Sequence, residues 1–253
     1  MIGSNASRAA RRLFVVACAA AGFATGAHAY RPFDGTDAAV AEKGVFELEA
    51  GVGRTRIGDV DDIAIPQAVF NFGLPDDTEF VIEGQFDREL GGHIDGSRNT
   101  LGDTQFSFKH VFRKGSLQDG GEGVSVAAEC AVLLPEVHGS HGTGGECAAI
   151  VSNKWDVLAL HLNAGLGRTR DHETARTVSL IAEGPDKWTV RPVTELLAER
   201  DTGGARLNSV LVGAIWQRSD ELAFDLAFRH AHTDELSFNE VRLGLTWSLP
   251  FSK

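Results

Sequence analysis

The chain has 253 residues, with 35 Asp and Glu against 24 Lys and Arg, a formal net charge of −11. That acidity argues against nucleic acid as a partner. No apolar run reaches the roughly 18 residues that a membrane-spanning helix needs, and a mean hydropathy of −0.09 would be odd for a helical membrane protein.

The N-terminus reads as an export signal. Arg8, Arg11 and Arg12 form a positive region, Leu13 to Gly26 is a short apolar stretch, and Ala27-His28-Ala29 has the small-x-small form of a cleavage site. Residues 1–29 are therefore expected to be removed. Val15-Val16-Ala17-Cys18 resembles a lipobox, but the apolar run continues well past Cys18. The signal carries no acid, so the exported chain is more acidic than the whole. Residues 30–42 read as a short periplasmic lead-in.

From residue 43 onward the pattern alternates with period two, as side chains do on a strand. It gives twelve strands, at 43–56, 61–73, 77–90, 100–114, 122–134, 145–155, 156–170, 175–184, 187–200, 205–218, 220–233 and 238–249. The last run is the plainest: Val241, Leu243, Leu245, Trp247 and Leu249 alternate with Glu240, Arg242, Gly244, Thr246 and Ser248. Pro75-Asp76-Asp77, Lys154-Trp155-Asp156, Gly184-Pro185-Asp186 and Arg218-Ser219-Asp220 form tight turns. The connections between them are longer, as in barrels with short periplasmic turns and longer outer loops; Gly115–Gly121 is the exception. Several runs reach ten residues or more, near the nine to eleven of a tilted membrane strand and longer than the five or six usual in a soluble sandwich. The fold expected is all-β, a closed antiparallel transmembrane β-barrel of about twelve strands spanning 43–251, set in outer-membrane lipid.

Alternation assigns faces. Phe80, Ile82 and Phe86 oppose Glu79, Val81, Glu83, Gln85 and Asp87; Phe106, Phe108, His110 and Phe112 oppose Gln105, Ser107 and Lys109. Trp188, Val190, Pro192 and Leu196 oppose Arg191, Glu195 and Glu199; Leu222, Phe224, Leu226 and Phe228 oppose Asp225 and Arg229. Glu47, Glu49, Glu129, Glu240 and Arg242 also fall on the polar face. A charge facing hydrocarbon at mid-membrane costs roughly 2–4 kcal/mol on a barrel, so this face belongs to the lumen. Glu83, Lys109, Glu129, Arg191, Glu195, Asp225, Arg229 and Arg242 are the candidate constriction, expected to find partners across the lumen. They would either filter what passes or plug and rigidify the interior. Trp155, Trp188, Trp247, Phe70, Phe72 and Phe251, near strand ends, suit an aromatic girdle.

Cys130 and Cys147 flank one loop on neighbouring predicted strands, in a compartment that permits disulfides. They are either a bridge or two free thiols on the apolar face. No cofactor motif is present: Gly142-Thr143-Gly144-Gly145 has no Lys and no following helix, so it is not a phosphate loop. His138, His141, Glu146, His172 and Glu173 are donor types that suit zinc or copper, but they sit in loops without a supporting shell, so no metal site is expected. His138-Gly139-Ser140 has a hydrolase-like spacing in a loop rather than on a strand, and His161-Leu162-Asn163 has Asn where Ser is needed. No Ser is visibly held by a His, and no enzymatic activity is expected.

Ala127–Pro135, Gly142-Thr143-Gly144-Gly145, Asn153-Lys154-Trp155 and Leu160–Gly167 together resemble the outer-membrane family labelled MetA-pathway of phenol degradation transporters. Its members show a strand ending in Leu-Pro, a Gly-Thr-Gly loop, a small-Lys-aromatic turn and a His-x-Asn-x-Gly strand. Glu221–Thr233, with Asp225 and Arg229, and Gly244-Leu245-Thr246-Trp247 also resemble theirs. The likeness spans 40–251 in layout and is specific over about 125–170 and 205–250. Unlike barrels that stop on a terminal aromatic, this chain continues from Phe251 into Ser252-Lys253. The resemblance implies an outer-membrane channel or transporter for small, often hydrophobic or aromatic molecules, inserted by the barrel assembly machinery. A non-transporting structural or surface-interaction barrel is the alternative.

Overall fold

A computed structural model describes residues 31–57, 60–90, 99–118 and 121–251. The expected signal peptide lies outside them. Twelve strands follow in chain order: β1 (Val45–Ile57), β2 (Val60–Leu74), β3 (Thr78–Glu89), β4 (Asn99–Arg113), β5 (Ser125–Leu133), β6 (Gly144–Trp155), β7 (Leu158–Arg168), β8 (Thr174–Glu183), β9 (Val190–Asp201), β10 (Arg206–Ser219), β11 (Leu222–Thr233) and β12 (Ser237–Pro250). Each pairs antiparallel with its sequence neighbours, and β1 pairs with β12 over twelve residue pairs, from Val45↔Pro250 to Arg56↔Asn239. The sheet closes on itself and leaves no edge. Closure satisfies the backbone of every strand within the wall, which a lipid environment demands.

The faces follow the alternation. On β11, Ala223, Asp225, Ala227 and Ala231 are buried, while Leu226 is 55% and Phe228 45% exposed. On β12, Glu240, Arg242 and Thr246 are buried, while Val241, Leu243 and Trp247 are exposed. Exposed apolar side chains recur around the wall, among them Phe70, Ile82, Phe108, Leu162, Leu180, Leu196 and Val212. Monomeric soluble proteins rarely leave so extended an apolar surface to water. The inside is polar: Glu47, Glu49, Asn71, Glu79, Lys109, Ser152, His161, Asn163 and Glu195 are all buried there. β2 shifts register between Ala64 and Gln67, at Ile65-Pro66, where proline has no N–H to give the ladder.

The ends differ. The turns 75–77, 156–157 and 220–221 are tight; with the start of β1 they mark one end, called inner below. The loops 134–143, 169–173 and 202–205 mark the outer end. The sequence exception, the long inner connection between β4 and β5, folds back into the barrel base. Leu117 is buried there, and the Gln118 side chain accepts from Gly115 N–H and from the Ser125 hydroxyl.

Residues 31–42, expected as a short periplasmic lead-in, run inside the barrel, with Pro32, Ala38 and Ala39 buried. The reason lies in their make-up: backbone donors, Arg31, Asp34 and Asp37 meet complementary groups on the polar wall.

Candidate functional site

The segment 31–42 crosses the lumen as an irregular chain with turns and bends, and inward-facing groups from nearly every part of the wall hold it. Arg31 N–H donates to Glu49 Oε2 at 3.0 Å. Asp34 and Gly35 N–H donate to the two oxygens of Glu195, at 2.9 and 2.8 Å. Thr36 is clasped at both backbone groups by the Asn163 amide, which accepts from its N–H at 3.2 Å and donates to its C=O at 2.8 Å. Ala38 N–H donates to Ser152 Oγ and Ala41 N–H to Glu79. Gln118 donates to the Ala38 carbonyl. Where the segment meets the wall, Gly73 leaves room: a Cβ there would lie 1.9 Å from the Glu42 carbonyl oxygen.

Charged side chains complete the seat. Asp34 is the central latch. Arg242 donates to its Oδ1 at 2.7 Å and to the Pro32 carbonyl at 2.7 Å, and Arg229 lies 3.2 Å from its Oδ2. Both arginines also reach Glu240, at 2.9 and 3.3 Å. Burial pushes the Asp34 carboxyl up, but the charges of Arg242 and Arg229 and the Arg242 hydrogen bond outweigh it, holding the group below the usual carboxylate value. Lys109 donates to Thr36 Oγ1 at 3.0 Å and stands 3.6 Å from Asp37. Two small apolar clusters anchor the rest: Val111, Ala127 and Ile150 around Ala38 and Val40, and Val193, Ile215 and Ala223 against Phe33.

Beside and above the plug, toward the outer loops, lies a cavity of about 880 Å³. It reaches from Ser140, Arg168 and Arg170 down to Arg31 and Asp34. Among its described lining residues twelve are acidic and five are arginines. The arginines are engaged: Arg31, Arg229 and Arg242 in the seat, Arg170 with the Leu134 and Thr104 carbonyls, and Arg168 with the His172 carbonyl.

The sequence candidates divide accordingly. Lys109, Glu195, Asp225, Arg229 and Arg242 converge, but on residues 31–37 rather than on one another across the lumen as expected. Chain occupies the lumen, so each meets a partner there before it could reach one across it. Glu83 and Glu129 line the cavity, and the Ser107 hydroxyl donates to Glu129. Arg191 stands apart near the inner end, 3.5 Å from Glu183 on the neighbouring strand. Cys130 and Cys147 are opposed on β5 and β6 and joined by a disulfide on the outward face, toward the outer end.

The sequence reading missed one constellation. His161 Nδ1 lies 2.8 Å from Ser152 Oγ, and its Nε2 lies 3.3 Å from Glu183 Oε1. Three adjoining strands thus present Ser, His and carboxylate in a row, so a Ser is held by a His after all. The Ser152 hydroxyl is fully buried, however, and its oxygen accepts the Ala38 N–H, so no substrate carbonyl reaches it in this state. It serves the seat. Spacing could not reveal it, because Ser152 and His161 meet only through the β6–β7 register.

No family model matches the sequence, and no curated protein matches it. Among solved structures, the barrel is similar to the NanC porin at 10% identity and a TM-score of 0.58, over 80% of this chain and 100% of that one. It is likewise similar to the KdgM porin in complex with disordered oligogalacturonate, at 10% identity and a TM-score of 0.54, over 79% and 99%. At such identity the likeness concerns the fold.

Proposed function

We propose that this chain is an outer-membrane channel for small solutes, closed in the described state by its own residues 31–42. The observation that carries the reading is a closed twelve-stranded wall, apolar outside, around a polar cavity of about 880 Å³ that extends from the outer loops to the plug. A barrel this wide is not filled by its own side chains; here a tethered segment fills what they leave. The N-terminal signal fits export, and the apolar exterior fits insertion by the barrel assembly machinery. The resemblance to MetA-pathway transporters would favour small, often aromatic cargo, and the surplus of carboxylates favours neutral or cationic molecules over anions. The plug itself favours one other reading, a non-transporting barrel stabilised by its filled lumen.

Conductance of the purified protein in planar bilayers separates the two. The channel reading expects discrete openings in the wild type, made more frequent by Arg242→Ala or Asp34→Asn. A folded, inserted protein that shows no openings in wild type or either variant leaves only the structural barrel.

A further inference from the structure

The seat of Arg31 is built from four residues in one row across four strands. Gln67, Gly51, Gly244 and Asp225 are directly opposed in turn on β2, β1, β12 and β11. The two glycines form a floor without side chains. A Cβ on Gly51 would lie 2.3 Å from Arg31 Nη2, and one on Gly244 would lie 2.3 Å from Arg31 Nε. Acceptors stand at both ends: Arg31 Nη1 donates to Gln67 Oε1 at 3.2 Å, and Nε lies 3.4 Å from Asp225 Oδ2. A flat slot with an acceptor at each edge matches a planar guanidinium, whose donors point outward in a fixed fork, better than it matches a compact ammonium.

The resident fills this slot imperfectly. Asp225 has a side chain only 2% exposed, yet neither of its oxygens receives a hydrogen bond, and Arg31 Nε and Nη2 make none. Buried carboxylates are strongly driven to find donors. Arg31 is tethered to a backbone pinned at Glu49 and Asp34, which limits how its fork can turn. A free guanidinium has no such constraint and could approach Asp225 with two parallel N–H groups, the stronger arrangement. The cavity extends to Arg31 itself, and carboxylates predominate along it, so a cation arriving from the outer end is drawn toward the slot.

We infer that the Gln67–Gly51–Gly244–Asp225 row is a guanidinium-binding site, filled by the chain's own Arg31 when closed and by a guanidinium-bearing solute, of the class of arginine or agmatine, when the plug is displaced. This rests on the channel reading for its consequence, and it makes residues 31–42 a tethered competitor of the cargo. Displacement costs the contacts of the seat but breaks none of the strand ladders that close the wall. The segment adds no strand to the ladder, and its contacts are largely polar ones that exchange with water at about 0.5–1.5 kcal/mol each.

The test uses the full chain carrying Val40→Cys as a reporter, its native disulfide intact, with L-argininamide as the probe and L-lysinamide at equal ionic strength as the control. Maleimide labelling of the reporter and bilayer conductance are read in parallel. Argininamide is expected to raise labelling several-fold and saturably, with lysinamide much weaker. Asp225→Asn is expected to label rapidly without the probe and to respond little to it. Arg31→Lys, which alters only the plug, is expected to label several-fold faster than wild type and guards against a wall variant that fails to fold. Labelling indifferent to argininamide, with Arg31→Lys as protected as wild type, overturns the site. An argininamide response in labelling without any conductance keeps the site and removes the channel reading. Conductance with no argininamide effect on labelling keeps the channel and removes the site.

Discussion

Arg242→Ala tests the latch most directly. Arg242 sits on β12 with a side chain only 9% exposed, and it holds Asp34 Oδ1, the Pro32 carbonyl and Glu240 Oε2 at 2.7, 2.7 and 2.9 Å. Removing one partner of a buried ion pair typically costs about 3–5 kcal/mol, because the other charge is left uncompensated. The lower end applies here. Arg229 stays within 3.2 Å of Asp34 and 3.3 Å of Glu240, and Asp34 is itself a quarter exposed. A loss of about 3 kcal/mol is about two decades in the ratio of seated to released plug. The backbone of residue 242 remains in its ladder with Gly53 and Ala227, so the wall should survive. Maleimide labelling of a plug cysteine should therefore accelerate about a hundredfold, while the boiled and unboiled forms stay distinct on an SDS gel. Unchanged labelling would refute the latch. Loss of the heat-modifiable band would refute the separation of plug from wall.

Three further outcomes are expected. Asp34 is held below its free value of 3.8 by Arg242 and Arg229, with Glu240 and Glu195 the facing carboxylates, so its contribution to seating is complete above that pH and lost as pH falls through the seated value. Bilayer open probability in wild type and Asp34→Asn should accordingly differ at neutral pH and draw together as pH falls below the free value; a gap that widens in acid would contradict this. The Cys130–Cys147 bridge closes a loop with a sequence separation of 17, so replacing both by Ala should cost up to about 3 kcal/mol in urea unfolding, chiefly through a freer unfolded chain, with the barrel still formed. Leu226→Arg should cost about 2–4 kcal/mol in folding into bilayers if this outward position lies at mid-membrane, and much less if that face meets water.

The wall was legible in the sequence to a degree the plug was not, and the difference is physical. Alternation is a local property, so Glu79, Val81, Glu83 and Gln85 could be assigned one face from β3 alone, and strand order follows when neighbours pair in sequence. Charge on that face implied a lumen because hydrocarbon excludes it. Which charge meets which partner is non-local. Arg242 and Asp34 are 208 residues apart, and Asp34 and Glu195 are 161 apart. The segment 31–42 has no period, since an irregular chain held by side chains alternates with nothing. A signal was still available. Arg31, Asp34 and Asp37 lie in a Gly- and Pro-containing stretch that leads directly into a barrel wider than those its own side chains fill. The Gly51–Gly244 floor was beyond reach, because a glycine on a strand says that something comes close without saying what.

On the channel reading the lumen charges do two jobs that compete. In the closed state Glu49 and Glu195 spend their acceptor capacity on backbone N–H groups, and Arg229 and Arg242 spend their donors on Asp34. None of these contacts is needed to close the wall, whose twelve ladders are complete without residues 31–42. Release of the plug would return both signs of charge to the lumen at once, withdrawing Arg31 from Asp225 and Asp34 from its two arginines. A molecule carrying a guanidinium and a carboxylate could then satisfy both ends of the vacated seat, as Arg31 and Asp34 do three residues apart. On the channel reading proposed above, the filter is not a fixed ring of charges but the set of groups that the plug leaves unsatisfied, and residues that loosen the plug should also set what passes.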